Sequence, residues 1–142
     1  MIRKFKKEDL DKILNIWLEV NIDAHNFISE QYWSNNYDMV KEILPLADVF
    51  VYEEENKIKG FVGIMDNYIA GIFVLKNMQS KGIGKKLLDY IKNKKTELSL
   101  NVYEKNNRAI EFYKKEKFEI VSKKIDENTN EIEVLMKWKR MI

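Results

Sequence analysis

The stretch from Asn67 to Leu75 is nearly all apolar, and it ends abruptly at Lys76-Asn77-Met78-Gln79-Ser80-Lys81-Gly82-Ile83-Gly84. An apolar run this short, bounded by turn residues, reads as a strand buried on both faces. Over Gly82 to Lys94, Ile83, Leu87, Leu88 and Ile91 then recur at helical spacing, and Leu98 to Val102 is strand-like again. Strand, helix and strand in that order predict a parallel pair joined by a right-handed crossover. All-helical and purely antiparallel folds are therefore set aside, and the chain reads as α/β.

The flanking segments add antiparallel strands and more helices. Met1 to Phe5 reads as a strand, and Lys7 to Val20 as a helix whose stripe of Leu10, Ile13, Leu14, Trp17 and Leu18 faces a core. Val20 to Ile28 has no clear period. Tyr32, Trp33, Tyr37, Val40 and Leu44 predict a second helix over Ser29 to Leu44, ahead of the only proline, Pro45. Strands follow at Asp48 to Tyr52 and Ile58 to Met65, around a polar loop at Glu53 to Lys57. Beyond the parallel pair come a helix at Asn106 to Glu116, a strand at Phe118 to Lys123, a turn at Asp126 to Asn130 and a strand at Ile132 to Trp138. The expectation is one domain over residues 1–142, with about seven strands and four helices, and with the last strand exposed at the sheet edge.

Charge and residue usage narrow the chemistry. Lys and Arg number 25 against 23 Asp and Glu, a net charge of +2 that signals no general affinity for polyanions. Cysteine is absent and His25 is the only histidine, which removes thiolate nucleophiles, disulfides and two-histidine metal motifs; no metal is expected. The longest apolar stretch, Ile69 to Leu75, is far shorter than the roughly 18 residues of a membrane span, and Met1 to Leu10 lacks the apolar run of a signal peptide. A cytoplasmic protein without a membrane partner is expected.

The segment Gln79 to Lys86 carries the strongest chemical signal. Two glycines where a strand passes into a helix let successive N–H groups point outward, and the helix dipole adds positive potential at the same spot. Between Lys76 and Lys95 stand seven lysines against one aspartate. A P-loop would need Gly where Gln79 stands and Ser or Thr where Lys86 stands; a dinucleotide fingerprint would need Gly at Leu87. What remains, Gln-x-x-Gly-x-Gly after a strand, resembles the acyl-CoA pyrophosphate loop of the GNAT superfamily of N-acetyltransferases. Asn106-Asn107-Arg108-Ala109-Ile110-Glu111-Phe112-Tyr113 resembles that family's Asn-x-x-Ala-x-x-Phe-Tyr helix, and the order of elements matches it throughout. Ala24-His25-Asn26-Phe27-Ile28, Asp66 to Gly71 and Val102 to Asn106 look like the bacterial YjaB-like subgroup.

The resemblance implies a GNAT fold, with a splayed parallel strand pair at the centre of a mixed sheet, and an enzyme that moves an acetyl group from acetyl-CoA to a primary amine, a small molecule or a protein lysine. Backbone of Phe73 and Val74 would bind pantetheine, with Gly71 at a bulge, and the amides of Gln79, Ser80, Lys81, Gly82, Ile83, Gly84 and Lys85 would hold the pyrophosphate while nearby lysines meet the 3′-phosphate. Asn106 would contact pantetheine. Tyr113 would be the general acid, although its spacing alone suits a core aromatic beside Phe112, which is assigned to the core. His25 is a candidate base, with a carboxylate such as Glu30 or Asp66, or water, as alternatives; His25, Tyr32 and Tyr68 are candidates for the acceptor site. With no cysteine, transfer would be direct. The lesser alternatives are a CoA-sensing domain without turnover and a nucleic-acid module using the lysine-rich helix with Tyr90 and Tyr103 exposed. A monomer or homodimer is expected.

Overall fold

A computed structural model describes residues 1–141 of the chain. Seven strands form one mixed sheet: β1 (Ile2–Lys4), β2 (Asp48–Glu54), β3 (Lys57–Met65), β4 (Tyr68–Val74), β5 (Glu97–Tyr103), β6 (Glu119–Asp126) and β7 (Glu131–Lys139). Their order is β1-β2-β3-β4-β5-β7-β6, and every neighbouring pair is antiparallel except β4–β5. The last strand is therefore interior. Its predecessor β6 is the edge, exposed along nearly its whole length, because the β6–β7 hairpin folds back so that β7 takes the place beside β5.

Five α-helices cover the sheet: α1 (Leu10–Ala24), α2 (Glu30–Asn35), α3 (Tyr37–Ile43), α4 (Ile83–Lys92) and α5 (Asn107–Lys115). The predicted helix over Ser29 to Leu44 is two helices, which makes five rather than four. Asn36 divides them: its side-chain amide donates to the Tyr32 carbonyl at 2.6 Å, so its own N–H turns to Trp33 and the ladder restarts. Helix α1 runs past Val20 to Ala24, through a last turn whose polar Asn21 and Asp23 hide the apolar period.

Alternation on β2 separates two cores. Val49 and Val51 pack with Ile13, Ile16, Trp17 and Trp33 from the first helices, whereas Phe50 and Tyr52 pack with Leu87, Leu88 and Ile91 of α4. Strand β4 is less buried than its composition predicts: Tyr68 and Ala70 are exposed, and Gly71 to Phe73 are half-buried. The reason is an opening beside it. β4 and β5 pair only at Tyr68 and Ser99, then diverge. On the other side, Gly63 opposes Gly71 and Ile64 opposes Ile69, which leaves Ala70 as a bulge that bends β4 away. The bulge thus stands one residue before Gly71, the position expected for it; Gly71 instead makes room for the Phe73 ring, which a Cβ there would overlap. Among the described residues no helix is long and apolar enough to cross a membrane.

Candidate active site

The divergence of β4 and β5 opens a cavity of about 410 Å³. Its walls are the end of α1 with His25, then Ile72, Phe73 and Val74 of β4, Gln79 and Gly84 of the following loop and helix, and Asn106, Arg108, Phe112 and Tyr113 around α5. The Leu75 N–H donates to Lys59 across β3, and a Cβ on Gly60 would stand 2.7 Å from the Phe73 carbonyl oxygen. The backbone of Phe73 and Leu75 thus faces β3, and alternation turns the polar groups of Ile72 and Val74 into the gap. Phe73 contributes its ring instead. The Val74 carbonyl accepts from Gln79 Nε2 at 2.9 Å.

The loop after β4 enters α4 through Ser80 at φ 65° and Gly82 at φ 85°, and no acidic residue stands in the first turn of the helix. Its leading N–H groups are free to bind an anion. The lysines are less available than their number suggests. Lys85 Nζ lies 3.2 Å from Asp89 and 3.1 Å from Glu116, Lys76 pairs with Asp23 at 3.1 Å, and Lys86, Lys92 and Lys94 sit over the rings of Tyr52, Trp138 and Tyr90. Ile83 is buried in the core. Ser80, Lys81, Gly82, Ile83 and Lys85 lie outside the cavity wall.

A hydrogen-bond chain defines the other wall. Asn106 Oδ1 caps α5 by accepting from the Ala109 N–H at 3.2 Å, so its Nδ2 is the atom that meets His25 Nε2, also at 3.2 Å. An amide N–H can only donate, so Nε2 accepts and the imidazole proton sits on Nδ1, which donates to the Asn21 carbonyl at 3.1 Å. His25 is thereby held neutral. Desolvation lowers its pKa from the ordinary 6.5, and the bond to Asn21 offsets part of that. The ring stacks on Trp33 at 5.2 Å and meets the edges of Phe27 and Tyr103.

Tyr113 is buried between Phe112 and Phe118, with centroids at 5.1 and 5.4 Å, yet it also lines the cavity. Desolvation alone acts on its hydroxyl and raises the pKa well above 10, which keeps the proton on the phenol. Phe112, assigned to the core from its spacing, is half-buried and lines the cavity opposite Gly84, because the apolar stripe of α5 straddles the core and the opening.

Tyr32 and Tyr68 do not reach this wall. Tyr32 packs edge-on against Trp33, and the Tyr68 hydroxyl accepts from Asn101 at 2.9 Å near the closed end of the gap. Tyr90 and Tyr103 are half-buried rather than exposed: Tyr90 packs on Phe50 at 5.0 Å, and the Tyr103 hydroxyl donates to Asp126 at 2.7 Å. A stacking surface for nucleic acid is missing there. Sequence reasoning passed over Arg108, although a cation in the first turn of a helix, against the dipole, was a legible signal.

Comparison with known proteins bears on this cavity. Residues 45–120 match the family described as Acetyltransferase (GNAT) domain. The chain is 36% identical over 140 residues to the Peptidyl-lysine N-acetyltransferase YiaC of Escherichia coli (strain K12), covering 97% of this chain and 96% of that protein. The solution structure of apo YjaB from Escherichia coli superposes with a TM-score of 0.85 at 25% identity, covering 96% of this chain and 95% of that one. An acetyltransferase structure from Bacillus anthracis str. Ames, in complex with acetyl coenzyme A, shares the fold at a TM-score of 0.61 and 23% identity over 67% of this chain and 63% of that one.

Proposed function

The chain belongs to the GNAT acetyltransferase family, an acetyl-CoA-dependent N-acetyltransferase by that membership, and on that premise we propose that its acceptor is the side-chain amine of a peptidyl lysine. The name and coverage of the YiaC match support the acceptor class. The observation that carries the site assignment is that His25, at the end of α1, lines one cavity with Asn106 and Tyr113 around the distant helix α5, at the mouth of a splayed strand pair.

The residues present suit acetyl-CoA. Inward polar groups of Ile72 and Val74 offer an extra strand's hydrogen bonds to the pantetheine arm, and the acid-free N-terminus of α4 suits a pyrophosphate. When bound, acetyl-CoA supplies a thioester whose carbonyl carbon the amine attacks, with loss of the thiolate. Tyr113, kept protonated by burial, hydrogen-bonds the departing sulfur and stabilises its charge, and the thiolate takes its proton from solvent, because a phenol with a pKa raised above 10 is a weaker acid than a thiol at about 8.5. His25 is in the neutral form able to take the amine's proton, but Asn106 occupies Nε2. The imidazole therefore becomes a base only when Asn106 releases it, and until then it positions the Asn106 amide at the cavity wall. No cysteine is present to carry the acyl group, so transfer is direct.

The test is mass spectrometry of peptides incubated with the protein and acetyl-CoA, one set with free lysine side chains and blocked N-termini, the other reversed. Acetyl-lysine in the first set is expected. Modification of the second set alone would replace the lysine reading with an N-terminal one.

A further inference from the structure

Arg108 stands at the second position of α5, where the helix dipole opposes a cation. Its guanidinium reaches across the cleft mouth, with Nη1 donating to Gln79 Oε1 at 2.6 Å and Nη2 to Ser80 Oγ at 3.0 Å. Both acceptors are neutral, so no carboxylate balances the charge; among the described residues Arg108 is in no ion pair. Neither α4 nor α5 has an acidic residue in its first turn, and the guanidinium bridges from the start of α5 to the loop that leads into α4. Positive potential is thus gathered from two helix ends and one fixed side chain, and the one carboxylate on the cavity wall, Asp23, is paired with Lys76. The neighbouring lysines are largely committed elsewhere, as described above.

We propose that Arg108 is the side chain that binds the pyrophosphate of acetyl-CoA, and that Gln79 and Ser80 hold its guanidinium in register for that anion in the free protein. Gln79 completes the arrangement, because the same amide that accepts from Arg108 donates to the Val74 carbonyl in the gap. This inference rests on the acetyl-CoA reading above and assigns the cation within it.

The experiment is equilibrium binding of acetyl-CoA, acetyl-dephospho-CoA and S-acetylpantetheine to the wild type, Arg108→Gln and Arg108→Lys. Binding is followed by calorimetry or, for the weak pantetheine ligand, by the NMR ring signal of His25, the only histidine. Arg108→Gln is expected to weaken the two pyrophosphate ligands by the same factor, about tenfold or more, and to leave S-acetylpantetheine unchanged. Arg108→Lys should recover part of the loss, a point charge without the planar fork. Weakening confined to acetyl-CoA would move Arg108 to the 3′-phosphate, and equal weakening of all three ligands would reduce it to a prop for the cavity; either overturns the proposal, as does no change. If the wild type bound none of the three, the cofactor reading itself would fall, a result distinct from any effect of the variants.

Discussion

At the scale of single residues, the site divides into groups whose proton is fixed by burial and groups whose orientation is fixed by a neighbour. Tyr113 is of the first kind. Tyr113→Phe keeps the ring between Phe112 and Phe118 and removes only the donor, so turnover should fall by about a hundredfold or more while the Kd for acetyl-CoA changes little, as rapid-quench assay beside calorimetry would show. His25 is of the second kind, and its titration has a definite sign. Its folded pKa lies below 6.5, so on acidification the unfolded chain takes the proton first. Stability is full above about pH 6.5 and is lost as pH falls through the folded value; His25→Gln should flatten thermal-melt midpoints across that window, whereas an unchanged slope would mean the ring is already solvated. The motif residues were legible in sequence because glycine, asparagine and tyrosine stood at telling separations. The Asn106–His25 bond was not, since its partners stand 81 positions apart and only the tertiary fold brings the end of α1 to the start of α5.

Elements were legible where the apolar period was unbroken, and misread where a polar side chain intervened. Helix α4 follows its stripe of Ile83, Leu87, Leu88 and Ile91, all buried, whereas Asn36 breaks an otherwise continuous aromatic stripe by capturing a carbonyl. The end of α5 shows a local cost. Lys117 lies at φ 74°, a left-handed conformation that costs a side-chain-bearing residue about 1 kcal/mol relative to glycine. Lys117→Gly should raise stability by a comparable amount in denaturant melts with activity retained, because the residue is remote from the cavity wall; a loss of stability would show that the lysine side chain compensates for the strain.

For the whole molecule, the governing feature is a sheet whose two parts, β1 to β4 and β5 to β7, share one parallel residue pair and are otherwise held by the helices packed on their faces. A ligand that fills the gap binds only the folded form, so acetyl-CoA at a hundred times its Kd should add about 2.7 kcal/mol, read as a rise in melting temperature. Amide exchange at Ile72 and Val74 should slow more than in β2, which faces no opening; equal slowing would place the ligand elsewhere. This architecture could be foreseen from the order of strand, helix and strand, but its edge could not, because nothing in the local pattern of β7 tells whether a hairpin folds inward or outward. The divided sheet also has a metrical consequence. His25 rides on the first part by way of α1, and Tyr113 follows the second by way of α5, so the span between the hydrogen-bond donor and the acceptor side is not written into either part alone. A pantetheine arm seated in that gap would act as a gauge block, touching both parts at once, so that its own thickness bears on the distance between the two side chains.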